Sequence, residues 1–489
     1  MNRIVTGIFV GTTISYAILT LIFALDGYPC FRQDAICFLP TSYFINHQHQ
    51  LINTFYDAGI DVVSHKFLFY PPLFPYVVAM ICKLLPTHDN EIQVALTLID
   101  LCSIVIILIS AYIYLKKNVI KYDSFFYLFL IIWTIALFSF HGIFEGRPEI
   151  LSNFFIACFI LNNTYKTNRI SNYINGLLIG LNAINSPIST FYLVVINAGL
   201  LLYLNNFKFK PIIQTALSAI LVLSCFAILY PYHLIDLLHG IEKHSSNVVF
   251  NRGSTGSGKF ILFKSLYISS PYHPFAIFSF LISICYVLYK LIKQAKTAAI
   301  FCLLVLLGMI SYFALRNLFM TYNFYVLSSL CIFVLLVLFV DILQHKIFSR
   351  YTNICFVILS LVLFINASGL FRTAVVYFCT QDKKVSFNDL KSELDLLTHK
   401  TKKDKKILIT FSLFPYSLDK AKYITYSWDD PSIQFVMMQQ SNSGKSQPPE
   451  IKDYKLIKNG FISDYPKAGK IQIGNTYPYY QTAIYERNQ

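Results

Sequence analysis

Long apolar runs alternate along this chain with short polar connections that are mostly basic. The first run covers residues 4–25, and others follow at 91–115, 124–142, 149–165, from about 173 onward, 211–230 and 353–371. Each approaches the roughly 20 residues that an α-helix needs to cross a hydrocarbon layer about 30 Å thick. The run at 67–85 breaks the series. It has Pro71, Pro72 and Pro75 at its start and Lys83 and Pro86 near its end, which suits an amphipathic helix lying in the interface. With that run kept out of the membrane, the basic clusters all fall on one side: Arg3, Lys116 with Lys117 and Lys121, Lys166 with Arg169, Lys208 with Lys210, Lys290 with Lys293 and Lys296, and Lys346 with Arg350. The positive-inside rule makes that side the cytoplasm. The expected fold is a polytopic α-helical membrane protein with about eleven transmembrane helices, N-terminus in and C-terminus out.

The pattern changes after Arg372. Lys, Asp, Ser and Pro become frequent, and short strand-like runs appear at Ile407–Phe411, Lys470–Ile473 and Thr482–Tyr485, with a helical segment at Phe387–Thr398. Two parts are expected: residues 1–371 in the membrane, and residues 372–489 as a small extracytoplasmic α/β domain. A polar break at Asn182–Pro187 interrupts the fifth span. Long outer connections are expected at 26–90 and 231–273.

Composition supports the membrane class. The 489 residues are 55% hydrophobic and 13% charged, with mean hydropathy +0.55, whereas a soluble domain carries roughly 25% charged residues. The net charge of +15 is accounted for by the topology clusters, and no recognition motif accompanies it, so no nucleic-acid partner is expected. Most of the 11 cysteines sit in apolar runs and act as small hydrophobes. Cys30 and Cys37 share the first outer loop, where a disulfide and two free thiols are both open.

Candidate chemistry concentrates in that first loop, which holds Asp34, His47, His49, Asp57, Asp61 and His65. Asp34 lies just past the first span, and a carboxylate placed there can take a proton from an acceptor hydroxyl. In the short loop His141–Glu149, Arg147 can meet a phosphate bidentately or pair with Glu145 or Glu149. Arg316, beside Tyr322, is costly so close to hydrocarbon and calls for a partner, for which a phosphate or a lipid headgroup serves. His233, His239, His244 and His273, with Arg252, Lys259 and Lys264, populate the second long loop as further anion contacts. Gly253–Lys259 in the same loop looks like a P-loop, but Phe260 stands where Ser or Thr is needed and no strand–helix frame surrounds it. It reads as a flexible lid. Asp100, inside the second span, has no assigned role.

The order Gln33-Asp34-Ala35, Tyr43, then Tyr70-Pro71-Pro72-Leu73 opening an interfacial helix resembles the GT-C integral-membrane glycosyltransferases, the protein O-mannosyltransferase and aminoarabinose transferase type. The loop with Glu145, Arg147 and Glu149 takes the place of that family's second functional loop. The resemblance implies inverting transfer of a sugar from a polyprenyl-phosphate donor to a hydroxyl of a lipid-linked glycan, lipid or protein acceptor at the extracytoplasmic face. Asp34 would be the base, Arg147 and Arg316 the donor-phosphate binders, and Glu145, Glu149, Tyr43, Tyr70, Pro71, Pro72 and Tyr322 the acceptor-side or site-shaping residues. Ala35 follows Asp34 where some members carry a second acid, which argues against a metal-dependent or paired-acid variant. Neither metal nor cofactor is expected, and the setting is a bacterial inner membrane. Two other readings are a transporter or lipid flippase, which should show paired interrupted helices, and a scaffold subunit of a cell-envelope complex.

Overall fold

A computed structural model of the chain describes residues 3–31, 34–56, 58–85, 90–118, 146–165, 169–204, 209–251, 374–418, 423–424, 430–440, 447–462, 466–473 and 481–488. Nine helices carry the N-terminal half of the described chain: α1 (Arg3–Leu25), α2 (Ala35–Gln48), α3 (Leu73–Leu84), α4 (Glu91–Asn118), α5 (Glu149–Tyr165), α6 (Arg169–Ala183), α7 (Pro187–Leu204), α8 (Lys210–Leu229) and α9 (Leu234–Asn251). The expected spans at 91–115, 149–165 and 211–230 coincide with α4, α5 and α8. Those at 124–142 and 353–371, and the remaining ones between 252 and 373, lie outside the described residues.

Among the described residues, α4 and α8 contain the stretches long and apolar enough to cross a bilayer. Ile213, Leu217, Ile220, Leu221, Ile228 and Leu229 of α8 are exposed. So are Val10, Ile14, Ile18 and Ile22, which form an i, i+4 stripe on α1. A contiguous aliphatic surface of this kind needs a lipid solvent rather than water. The proline-led run forms α3, whose 12 residues rise only about 18 Å, well short of the hydrocarbon thickness. Phe74, Val78 and Cys82 of α3 pack inward while Tyr76, Met80 and Leu84 face out.

Small residues and amides hold the bundle together, because apolar side chains gain little by leaving lipid for protein. α6 packs along α8 through Gly176 and Gly180. A Cβ at Gly176 would stand 2.2 Å from the Thr215 carbonyl oxygen. Asn172 donates to Gln214 Oε1 (3.0 Å), and Ser218 donates to the Tyr173 carbonyl (2.8 Å). Asn175, fully buried, donates to Asn163 Oδ1 and Asn197 Oδ1 and accepts from Asn162. Gly176→Ala is expected to cost about 1–3 kcal/mol by overpacking, read as a lower thermal midpoint of the purified protein. An unchanged midpoint would place the α6–α8 contact elsewhere.

The polar break expected at 182–187 separates α6 from α7, and its backbone is satisfied by neighbours, as irregular chain at membrane depth requires. Leu73 N–H donates to the Ile184 carbonyl (3.1 Å), and the Tyr70 and Ser186 hydroxyls lie 3.0 Å apart. Asn185 Nδ2 donates to the Pro148 carbonyl (2.9 Å) and to Ser152 Oγ (2.8 Å). One break therefore ties together the starts of α3 and α5.

The C-terminal residues form helix α10 (Phe387–Lys400) and strands β1 (Lys406–Ile409), β2 (Tyr423–Ile424), β3 (Ile433–Gln439), β4 (Tyr454–Asn459), β5 (Lys467–Ala468), β6 (Ile471–Gln472) and β7 (Thr482–Arg487). Five of them make a mixed sheet of order β2-β1-β3-β7-β4, parallel at β1 and antiparallel around β7. Leu390, Leu394 and Leu397 give α10 its buried stripe. This unit docks on the first polar loop. The Tyr377 ring packs on Phe23 (4.6 Å) and Tyr28 (5.0 Å), and Lys384 pairs with Asp26 at 2.6 Å. Phe414 stacks on Phe31 at 5.6 Å, and Gln439 donates to Cys30 Sγ at 3.0 Å. Neither Cys30 nor Cys37 is in a disulfide, which leaves the thiol alternative of the pair.

Candidate active site

Asp34 is the N-cap residue of α2, yet its side chain makes no capping bond. An aspartate there ordinarily accepts from the N–H groups of the first turn. Here Oδ2 turns away and accepts from Arg147 Nη1 at 2.7 Å. The loop before α5 brings the arginine in. Gly146 has φ +59°, and a Cβ on it would stand 2.7 Å from both Ala35 Cβ and Leu39 Cδ1, so only glycine lets the loop lie against the first turn of α2. The Asn185 bond to the Pro148 carbonyl fixes the other side.

Arg147 is held at both ends. Its Nε donates to Glu149 Oε2 at 3.1 Å, and its guanidinium lies 5.5 Å from the centre of the Phe38 ring. Glu149 opens α5, where a carboxylate also complements the helix dipole. Exposure of the three side chains is graded: Glu149 3%, Arg147 13%, Asp34 35%. Glu149 is thus the buried anchor, Arg147 the half-sheltered cation, and Asp34 the carboxylate that meets solvent. Of the two roles open to Arg147 in the sequence, an ion pair with Glu149 is present, and the pairing with Asp34 is additional.

Tyr70 joins this group through the Phe38 ring, 5.2 Å away, and Pro72 caps the start of α3, with Pro71 just before it. Tyr43 stands nine residues along α2 from Asp34, its ring 4.2 Å from His47. The other polar residues of the first loop shape turns. Asp61 accepts from the Ser64 N–H at 2.9 Å and from the Ser64 hydroxyl, and these bonds hold its carboxyl below the usual range. His49 and His65 have positive φ, 53° each. Glu145, Arg316, Tyr322, Asp57, His273, Arg252, Lys259, Lys264 and the glycine-rich run 253–260 lie outside the described residues. Asp100 is buried within α4.

The second long connection begins as helix α9 rather than as loop. His233 and His239 face outward, but His244 turns inward, its ring 5.3 Å from Phe69 and 6.3 Å from Tyr56. Burial and the nearby Arg147 charge, partly opposed by Asp34, push this imidazole down to about 4. It is therefore neutral at neutral pH. Cys37, one turn past Asp34, is hydrogen-bonded to Tyr56, and burial together with the Asp34 charge pushes its thiol up, which leaves it protonated and unreactive. The spacing Leu237, Gly240, Ile241, His244 was the available signal for α9's inward face.

No family model matches the sequence, and no curated protein matches it. Solved structures do. The oligosaccharyltransferase of Archaeoglobus fulgidus, in complex with zinc and sulfate, superposes at TM-score 0.51 and 12% identity, over 88% of this chain and 68% of that one. The same archaeal enzyme, AglB, in complex with an inhibitory peptide and a dolichol-phosphate, gives TM-score 0.50 and 11% identity over 88% and 69%. ArnT from Cupriavidus metallidurans bound to undecaprenyl phosphate gives 0.46 and 10% over 88% and 93%. In fold, then, this chain is similar to the Archaeoglobus fulgidus oligosaccharyltransferase.

Proposed function

We propose that this protein is a membrane glycosyltransferase that moves a sugar from a polyprenyl-phosphate donor to a hydroxyl on a lipid, glycan or protein acceptor at the extracytoplasmic face. The observation that carries the reading is the Asp34–Arg147–Glu149 chain: one partly exposed carboxylate beside a guanidinium whose other edge is locked by a buried acid. A base and a phosphate-binding cation thus share one site. The dolichol-phosphate bound to a protein of the same fold fits such a donor.

In this reaction the acceptor oxygen attacks the anomeric carbon, its proton passes to Asp34, and the carbon–oxygen bond to the phosphate breaks. The phosphate leaves on its polyprenyl chain, so a single displacement inverts the anomeric centre. Arg147 neutralises the charge that develops on the leaving oxygen, where a preorganised donor counts most. Glu149 keeps the guanidinium aimed while Nη1 is shared between Asp34 and phosphate. Arg316 is a second candidate cation, with Glu145 and Tyr322 on the acceptor side. Tyr70, Pro71 and Pro72 set the interfacial helix that floors the site. Lateral entry of the donor from the lipid fits the short, two-faced α3.

The test is turnover of synthetic polyprenyl-phosphate sugars by the reconstituted full chain, with the product anomer read by NMR. Release of free polyprenyl phosphate with inverted product is expected. Passage of intact lipid-linked sugar between leaflets without bond cleavage would replace the reading with a flippase.

A further inference from the structure

His244 is unused in the chemistry above, yet the fold takes trouble to place it. The hydroxyls of Tyr230 and Tyr232 donate to the Phe67 and Leu51 carbonyls and pin the entry to α9. Leu237, Gly240, Ile241 and His244 then recur at helical spacing on one face. A Cβ at Gly240 would stand 2.2 Å from the Leu68 carbonyl oxygen, so α9 rests backbone to backbone on the 67–70 segment. One turn later His244 meets Phe69.

Two contact routes lead from there to the ion pair. Phe69 lies 6.0 Å from Phe38, over which Arg147 sits. Tyr56 meets the His244 ring and bonds Cys37, whose N–H donates to the Asp34 carbonyl at 3.1 Å. Asp34 and His244 both keep partly exposed surface. Among the described residues, the titratable and charged groups that act on the imidazole are Arg147, Asp34 and Tyr56, while Glu242 and Lys243 on its own helix are exposed. Among the described residues, the cation at this site, Arg147, already faces two carboxylates, so a phosphate there gains from further positive charge. A neutral imidazole supplies it on demand, because it carries no buried charge until a ligand anion compensates one.

We propose that His244 contacts the ligand, donating a ring N–H to a phosphoryl oxygen on the side away from Arg147 and taking up one proton from solvent as the phosphate binds. This rests on the lipid-phosphate reading above. The probes are undecaprenyl phosphate, inorganic phosphate and phosphatidylglycerol, each titrated into the purified full chain. His244→Phe keeps the ring packing and removes the N–H. His244→Gln keeps an N–H and cannot charge.

Loss of a bond to a charged group is worth about 10–100-fold. The undecaprenyl phosphate affinity gap between wild type and His244→Phe should widen from about threefold near pH 8 to about thirtyfold near pH 6, because protonation adds to the bond. His244→Gln should show a smaller gap that does not change with pH. Inorganic phosphate should compete in wild type and much less in His244→Phe, while phosphatidylglycerol should not distinguish them. Equal affinity and pH dependence in wild type and a folded His244→Phe overturns this inference alone. A matching His244 effect on phosphatidylglycerol also overturns it, since the histidine then meets headgroups generally. A wild type that ignores undecaprenyl phosphate overturns this inference and the donor assignment together.

Discussion

Asp34→Asn should lower turnover by about 10²–10⁴-fold, the range for a positioned general base, and leave the protein folded. The asparagine is nearly isosteric and still offers Arg147 an oxygen. Arg147 also keeps Glu149 at 3.1 Å, so no buried charge is orphaned. The ion pair itself contributes little to stability, because Asp34 is 35% exposed and solvent screens it. Donor affinity should hold or improve slightly, since a competitor for the guanidinium is weakened. Asp61→Asn is the matched control: the same loop and the same chemistry, but a carboxylate committed to Ser64. Retention of more than a third of wild-type turnover in Asp34→Asn would move the base elsewhere. The same loss in both variants would mean that the loop's fold, not its base, had been read.

The elements that were legible in the sequence are those whose pattern is set locally. α4, α5 and α8 begin and end within a few residues of the expected spans, because lipid demands an uninterrupted apolar run. The prolines at 71, 72 and 75 told correctly against a long helix, and Asn185-Ser186-Pro187 marked the end of α6. α9 escaped because its helix is amphipathic in a region read as loop, with Asp236, Glu242 and Lys243 lowering its average hydropathy. β3 and β4 escaped for a related reason. β3 is central, paired with β1 and β7, but its Met-Met-Gln end lacks the β-branched signature, and β4 exposes nearly every residue. At the site, the residue types were readable and their partnership was not. Asp34 and Arg147 are 113 positions apart, and it takes Gly146 and Asn185, neither of them chemically notable, to bring the arginine across. The N-cap position of Asp34 would even have suggested a structural role, which the geometry sets aside.

Arg147→Ala should abolish turnover and also destabilise the protein, in contrast to the change at Asp34. Glu149 is only 3% exposed, and removing its partner strands a buried carboxylate at a cost of about 3–5 kcal/mol. A lower thermal midpoint for Arg147→Ala than for Asp34→Asn is therefore expected. The two effects can be separated. In Arg147→Ala with Glu149→Gln, no stranded charge remains, so most of the lost stability should return while turnover stays absent, since nothing at this position meets the leaving phosphate. Arg147→Lys should fall between. It keeps the charge, but a single ammonium cannot hold Glu149 and reach Asp34 with the geometry of a planar fork, so a loss of about 10–100-fold in turnover is expected from one weakened charge-stabilising contact. If the double variant recovers activity along with stability, Arg147 serves only to neutralise Glu149. The catalytic cation must then be sought on another loop, with Arg316 the first to test.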